Sequence, residues 1–157
     1  MQPNAIIRFT THWPYDPTSL IIARLGGSKI FSHSMTIIDG TAYEATMMHN
    51  CRYCPEERAM QGVARYQDMY VEIPDIAASV RWGVEQDGKP YDFAGAFGIP
   101  FMMSEDWQDD TKWWCSEHTY AMCRAGGLTL LDPFAFRRVR PEDLRNCNYP
   151  KSLIITR

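Results

Sequence analysis

The chain predicts an α+β fold with an antiparallel sheet, and three observations carry that expectation. Strand-like stretches fall at its start, middle and end with helical patterns between them, which is not the regular βαβ alternation of a parallel sheet. An Asp39-Gly40 pair stands between two β-forming runs, the strongest short-range hairpin signal. A helix opens at Cys115 and stops at Gly126-Gly127, with polar Ser116 and Glu117 in its first turn.

The 157 residues, 45% apolar and 13% aromatic, suit one domain, 1–157, with a substantial core. A formal charge of −3 with Lys and Arg scattered provides no basic stripe to follow a phosphate backbone, so no nucleic-acid partner is expected. No stretch approaches the ~18 apolar residues of a membrane span, and no basic-then-apolar leader is visible. The expectation is a protein without an integral membrane segment, cytoplasmic as written. Five cysteines, an odd number, point to reduced thiols and not to a disulfide framework.

Taken in order, Ala5–Thr10 reads as a strand. Asp16 as N-cap and Pro17 at the first helical position open a helix over Thr18–Leu25, closed by Gly26-Gly27, although the same apolar run suits a strand. His12 reads as a solvent-exposed or locally bonded imidazole. Lys29–Ile38 and Thr41–Thr46 form the hairpin. With Asp39-Gly40 as a two-residue type I′ turn, Ile38 pairs with Thr41 and His33 falls opposite Thr46. Side chains alternate along each strand, so Glu44 shares a face with Thr46 and lies diagonal to His33, within reach of its ring. A bulge at Thr41 shifts that register; the plainer alternative is a surface hairpin with an incidental His and Glu.

His49, Cys51 and Cys54 resemble half of a zinc site, but no second Cys or His pair follows at finger-like spacing, leaving Cys123 or Cys147 as distant ligands. A loop lining a cleft, with no metal and no cofactor, is the simpler expectation for residues 47–61. Asp68–Ile73 is a strand ended by Pro74, and Ile76–Glu85 a helix with Ile76, Val80 and Val84 on one face. Asp87–Pro90 is a turn, Tyr91–Phe97 a short apolar helix, and Pro100–Asp110 a loop able to cap a cleft. Arg140–Leu144 is a helical turn with Pro141 at its start, and Lys151–Thr156 a closing strand.

Cys115 stands where unpaired N–H groups and the positive helix end favour an anion, the position that makes a thiol a nucleophile. The competing reading is a buried structural cysteine packed by Trp113 and Trp114. Given a nucleophile, His33 is the base, Glu44 its support, and helix-start N–H groups hold an oxyanion, the constellation for acyl transfer through a thioester. His118, one turn along from Cys115, is the rival base.

Ser32–Gly40 with Tyr43-Glu44-Ala45, then Gly88–Asp92, then Trp114-Cys115-Ser116-Glu117 resemble the circularly permuted branch of the NlpC/p60 papain-like superfamily, in which histidine precedes cysteine. That branch includes the YiiX-like proteins and, more distantly, the lecithin:retinol acyltransferase group. The resemblance spans roughly residues 5–156 and is specific at the His hairpin and the Cys helix. It implies a papain-like antiparallel sheet packed on the nucleophile helix, with Cys115 as nucleophile, His33 as base and Glu44 as third polar residue. Tyr91, Trp114 and Ser116 fall at the substrate; Tyr91 is there either as an oxyanion donor or with its hydroxyl bonded internally. The implied substrate is a small acylated, peptide or lipid molecule, cleaved at an amide or ester bond. A phage or prophage particle offers the route to a cell-wall substrate. The alternatives are a non-catalytic binding module of the same fold and a small zinc protein.

Overall fold

The computed structural model describes residues 2–12, 30–93, 111–132 and 139–157. The helix expected over 18–25, the 94–97 part of the apolar helix and the loop at 100–110 lie outside the described residues. Six strands, β1 (Ala5–His12), β2 (His33–Ile38), β3 (Thr41–Thr46), β4 (Asn50–Pro55), β5 (Val63–Val71) and β6 (Ile155–Thr156), form one sheet in the order β4-β3-β2-β1-β5-β6. Every pairing is antiparallel. Among the described residues four helices accompany it: α1 (Glu56–Ala59), α2 (Ile76–Glu85), α3 (Cys115–Ala125) and α4 (Pro141–Arg145).

The β2–β3 hairpin has the expected register, with Ile38 opposite Thr41 and Thr36 opposite Tyr43. Asp39 and Gly40 both take positive φ, 47° and 72°, the pair of left-handed residues a type I′ turn demands. The ladder stops at Thr36, and His33 pairs with Thr10 of β1 instead.

The sheet buries both faces. Ile7, Phe9, Tyr43, Met69 and Val71 pack with Met122 and Cys123 of α3. Met35, Ile37, Ala42 and Cys54 pack with Ala59, Met60 and Val63 around α1. On that second side Arg8 is 5% exposed and grips Asp68 of β5 with two nitrogens at 2.6 and 2.8 Å, while a third meets Glu56 at the start of α1. A buried guanidinium needs such partners, and this one ties β1, β5 and α1 together.

Residues 47–61, expected as a loop, contain β4 and α1, with Asn50 at φ 59° turning the chain into the strand. The strand period of two then sends Cys51 and Cys54 to opposite faces: Cys51 joins Ala45, Tyr91 and Trp114, whereas Cys54 joins Met35 and Ile37. In α2, capped by the Asp75 carboxylate on the Ala78 N–H, the face against α3 is built from Ser79 and Gly83, and Val84 is exposed. Small residues let α2 close on both neighbours: a Cβ on Gly83 would stand 2.7 Å from the Tyr43 ring of β3 and 3.2 Å from Met122 Cε of α3. Tyr91 is not helical; it bridges Trp113 in a parallel pairing, and helix begins at Phe93. β5 starts five residues earlier than expected, at Val63, and the closing strand shrinks to two residues, though Lys151 already bridges Met69.

Candidate active site

Three elements deliver three side chains to one end of the sheet. α3 starts at Cys115, β2 starts at His33, and β3 carries Glu44 two residues before its end. The start of α3 is anchored by a buried clamp: the Trp114 indole N–H donates to the Val139 carbonyl at 2.9 Å and the Ser116 hydroxyl to the same oxygen at 2.6 Å. One turn on, Thr119 donates to the Cys115 carbonyl at 3.0 Å, and its hydroxyl lies 3.2 Å from that of Ser34 on β2. Helix and strand are thereby held in register at the thiol.

The His33 Nε2 stands 2.7 Å from Glu44 Oε2, and the ring is hydrogen-bonded to the Cys115 side chain. With Nε2 on the carboxylate, Nδ1 is left for the sulfur. The other oxygen of Glu44 accepts from Arg52 Nε at 2.8 Å and Nη2 at 2.6 Å. Arg52, directly across from Glu44 on β4, is the member that sequence reasoning missed, because β4 itself was read as a loop; the Glu44–Arg52 opposition follows once that hairpin is drawn.

Electrostatics favour charge separation. Burial opposes a charged His33, but its bonds to Cys115 and Glu44 outweigh that and raise its pKa to about 10. Burial likewise opposes a charged Glu44, yet His33 and Arg52 lower it to about 2. Burial works against the Cys115 thiolate too, and the His33 hydrogen bond and charge, with backbone N–H groups of Ser34 and Ser116, override it and draw the thiol pKa down. The other four thiols go the opposite way, burial pushing Cys51 and Cys123 up to about 12 and raising Cys54 and Cys147. All five cysteines are free. Cys115 is 3% exposed, and the His33 side chain, 12% exposed, joins it to a cleft of about 410 Å³.

That cleft is lined by apolar Ala45, Met47 and Tyr91 and by polar His12, Arg52, Arg58 and Gln61. Residues 47–61 therefore line it as expected, from the turn before β4 and the turn after α1 as well as from β4 and α1. Tyr91 is set by a stitched run: Cys51 N–H donates to the Lys89 carbonyl at 2.9 Å, and Trp113 N–H to the Pro90 carbonyl at 3.2 Å. Trp114 and Ser116, expected at the substrate, have their polar atoms bound to each other and to Val139, and Ser116 is fully buried. His118 is brought to the same region but not to the thiol. It is 1% exposed, neither ring nitrogen has a hydrogen-bond partner among the described residues, and its ring lies against Trp82, centroids 5.2 Å apart.

The architecture has a solved counterpart. The crystal structure of the metalloprotein yiiX from Escherichia coli superposes with a TM-score of 0.70 and 16% identity, covering 99% of this chain and 98% of the other. The chain shares the yiiX fold. No family model matches the sequence, and no curated protein does, so the likeness to yiiX is one of fold and carries no residue roles. Within that fold no helix of the described residues is long and apolar enough to cross a membrane.

Proposed function

We propose that the protein is a cysteine-dependent hydrolase of amide or ester bonds with a papain-like Cys-His-Glu site, permuted so that the histidine comes first. The observation that carries this reading is the chain Cys115–His33–Glu44–Arg52, in which Cys115 is the one thiol of five whose pKa is drawn down. The Cys115 thiolate attacks the substrate carbonyl carbon, and the oxyanion forms beside the start of α3, where helix N–H groups carry partial positive charge. The Tyr91 hydroxyl, on the cleft wall and close enough for the Cys115 charge to raise its pKa after burial, is the side-chain donor proposed for the same oxyanion. The His33 imidazolium then gives its proton to the departing amine or alkoxide, leaving a thioester on Cys115. Water attacks that thioester as His33 takes its proton, and the acid departs with the thiolate restored. Glu44 holds the ring orientation and stabilises the imidazolium.

The fold counterpart is described as a metalloprotein, but the described donors do not fit a metal centre. Both Glu44 oxygens are engaged by His33 and Arg52, and Cys51 and Cys54 face opposite sides of the sheet. Among the described residues no group of three or more His, Cys, Asp or Glu side chains is disposed to hold an ion.

The test uses an activated ester that needs no knowledge of the natural substrate. Incubation with p-nitrophenyl acetate should place an acetyl group on Cys115, labile to hydroxylamine, and release p-nitrophenol with turnover. Cys115→Ala should lose both, and His33→Ala should lose comparably, since members of one unit are strongly non-additive. A wild-type protein that neither acylates at Cys115 nor exceeds Cys115→Ala in release is a binding module, not an enzyme.

A further inference from the structure

We propose that the cleft beside Cys115 takes a substrate bearing an anionic group, a carboxylate or a phosphate, seated between Arg58 and the outer edge of Arg52. The inference rests on the hydrolase reading and adds to it the class of substrate. Arg52 commits Nε and Nη2 to Glu44, so its Nη1 makes no bond among the described residues while its side chain stays 17% exposed at the cleft. Arg58, also on the cleft wall, is exposed, and its side chain has neither an ion pair nor a hydrogen bond among the described residues. Its carrier is not loose: α1 is pinned where Glu56 meets the buried Arg8.

The local charges decide the sign. Among the charged side chains lining the cleft, the His33 imidazolium is balanced by the thiolate, Glu44 and Arg52 cancel, and Arg58 remains as a positive surplus, on a chain whose net charge is −3. A cleft with low-dielectric walls concentrates such a field and draws a ligand of opposite sign. Two guanidinium edges offer paired planar donors that match a carboxylate or a phosphate and have no equivalent match to a neutral group. Ala45, Tyr91 and Met47, packed together in one cluster and lining the same cleft, offer a surface that accepts the apolar part of an acyl group. The substrate class is thus an amphipathic amide or ester with one negative charge held away from the scissile carbonyl.

Two alkylating agents of nearly the same shape, iodoacetate and iodoacetamide, differ in a single negative charge and read the subsite through Cys115. The ratio of their rate constants at Cys115, followed by peptide mass mapping, should favour iodoacetate, fall severalfold in Arg58→Gln, fall further in Arg58→Glu, and shrink as salt is added. A ratio indifferent to Arg58 and to salt overturns the anionic subsite. If instead neither reagent prefers Cys115 to the other four cysteines, the hydrolase reading beneath it fails, a result distinct from the first. The source of the charge is read by protection of Cys115 from iodoacetamide. N-acetylglycine protecting better than N-acetylglycinamide supports a carboxylate, and glycerol phosphate protecting best supports a phosphate. Protection by none of the charged compounds beyond N-acetylglycinamide counts against the proposal.

Discussion

At the scale of single residues, the fate of the five thiols is the sharpest consequence. Four stay protonated at physiological pH because burial penalises their anions more than any nearby Lys or Arg offsets it, and only at Cys115 does a hydrogen-bonded cation outweigh burial. At mildly acidic pH iodoacetamide should therefore label Cys115 well ahead of Cys51, Cys54, Cys123 and Cys147, and quantitative mass spectrometry of the five peptides measures it. Glu44→Gln keeps a hydrogen-bonding group against His33 but removes the charge that supports the imidazolium 2.7 Å away. The thiolate, stabilised by that imidazolium, should then form at higher pH, so the pH profile of Cys115 alkylation moves alkaline without being abolished. A profile unmoved by Glu44→Gln but displaced by His118→Ala would transfer the role of base to His118.

At the scale of elements, close approach of α2 and α3 to their neighbours depends on glycines. A Cβ on Gly126 would stand 2.2 Å from Ile73 Cγ2 and 2.9 Å from the Asp75 carbonyl oxygen, and a backbone atom cannot rotate aside. Gly126→Ala should cost about 1–3 kcal/mol, the usual penalty of overpacking, read as a lower urea midpoint. The same change at Gly40, where nothing lies within 4 Å, should cost roughly 1 kcal/mol through its positive φ alone. Legibility at this scale followed local chemistry. α2 was visible to the residue through the helical spacing of Ile76, Val80 and Val84 after Pro74, and α3 through its glycine stop. β4 was not, because Asn-Cys-Arg-Tyr-Cys-Pro lacks a run of β-branched residues and its thiols, three apart, suggest a ligand pair until a strand is known to run through them.

At the scale of the whole molecule, two buried groups set the response to acid, in different windows. His118 has no partner for a proton and burial lowers its pKa from 6.5 to about 4. An unfolded chain protonates it first, so its contribution is intact above 6.5 and lost as pH falls towards 4, amounting to roughly 3 kcal/mol by then. Glu44 has its folded pKa depressed from 4.5 to about 2, so its contribution is intact above 4.5 and lost below it. Urea melts across pH should show His118→Leu, which also removes two unsatisfied buried nitrogens, flattening the slope between 6.5 and 4.5 while leaving the steeper loss below. A slope there that survives His118→Leu belongs to other groups.

The amino-acid sequence by itself determined what depends on neighbours along the chain. The Asp39-Gly40 turn specified the hairpin register, and the register put Glu44 diagonal to His33. The glycine pair and polar first turn marked α3 and placed Cys115 at its start. Only the tertiary structure decided what depends on residues distant in sequence. Eighty-odd positions separate His33 from Cys115, and α3 packing on β2 through Ser34 and Thr119 brings them together. The contact to the thiol is tertiary in the same way: neighbours on one helix are close by default, but it is His33 that is hydrogen-bonded to Cys115, while the His118 ring lies against Trp82 with neither nitrogen bonded among the described residues. Arg52 joined the site, and Trp114 and Ser116 were turned to a clamp on Val139, for one physical reason: a buried polar group must find its partner in three dimensions, and no local pattern names that partner.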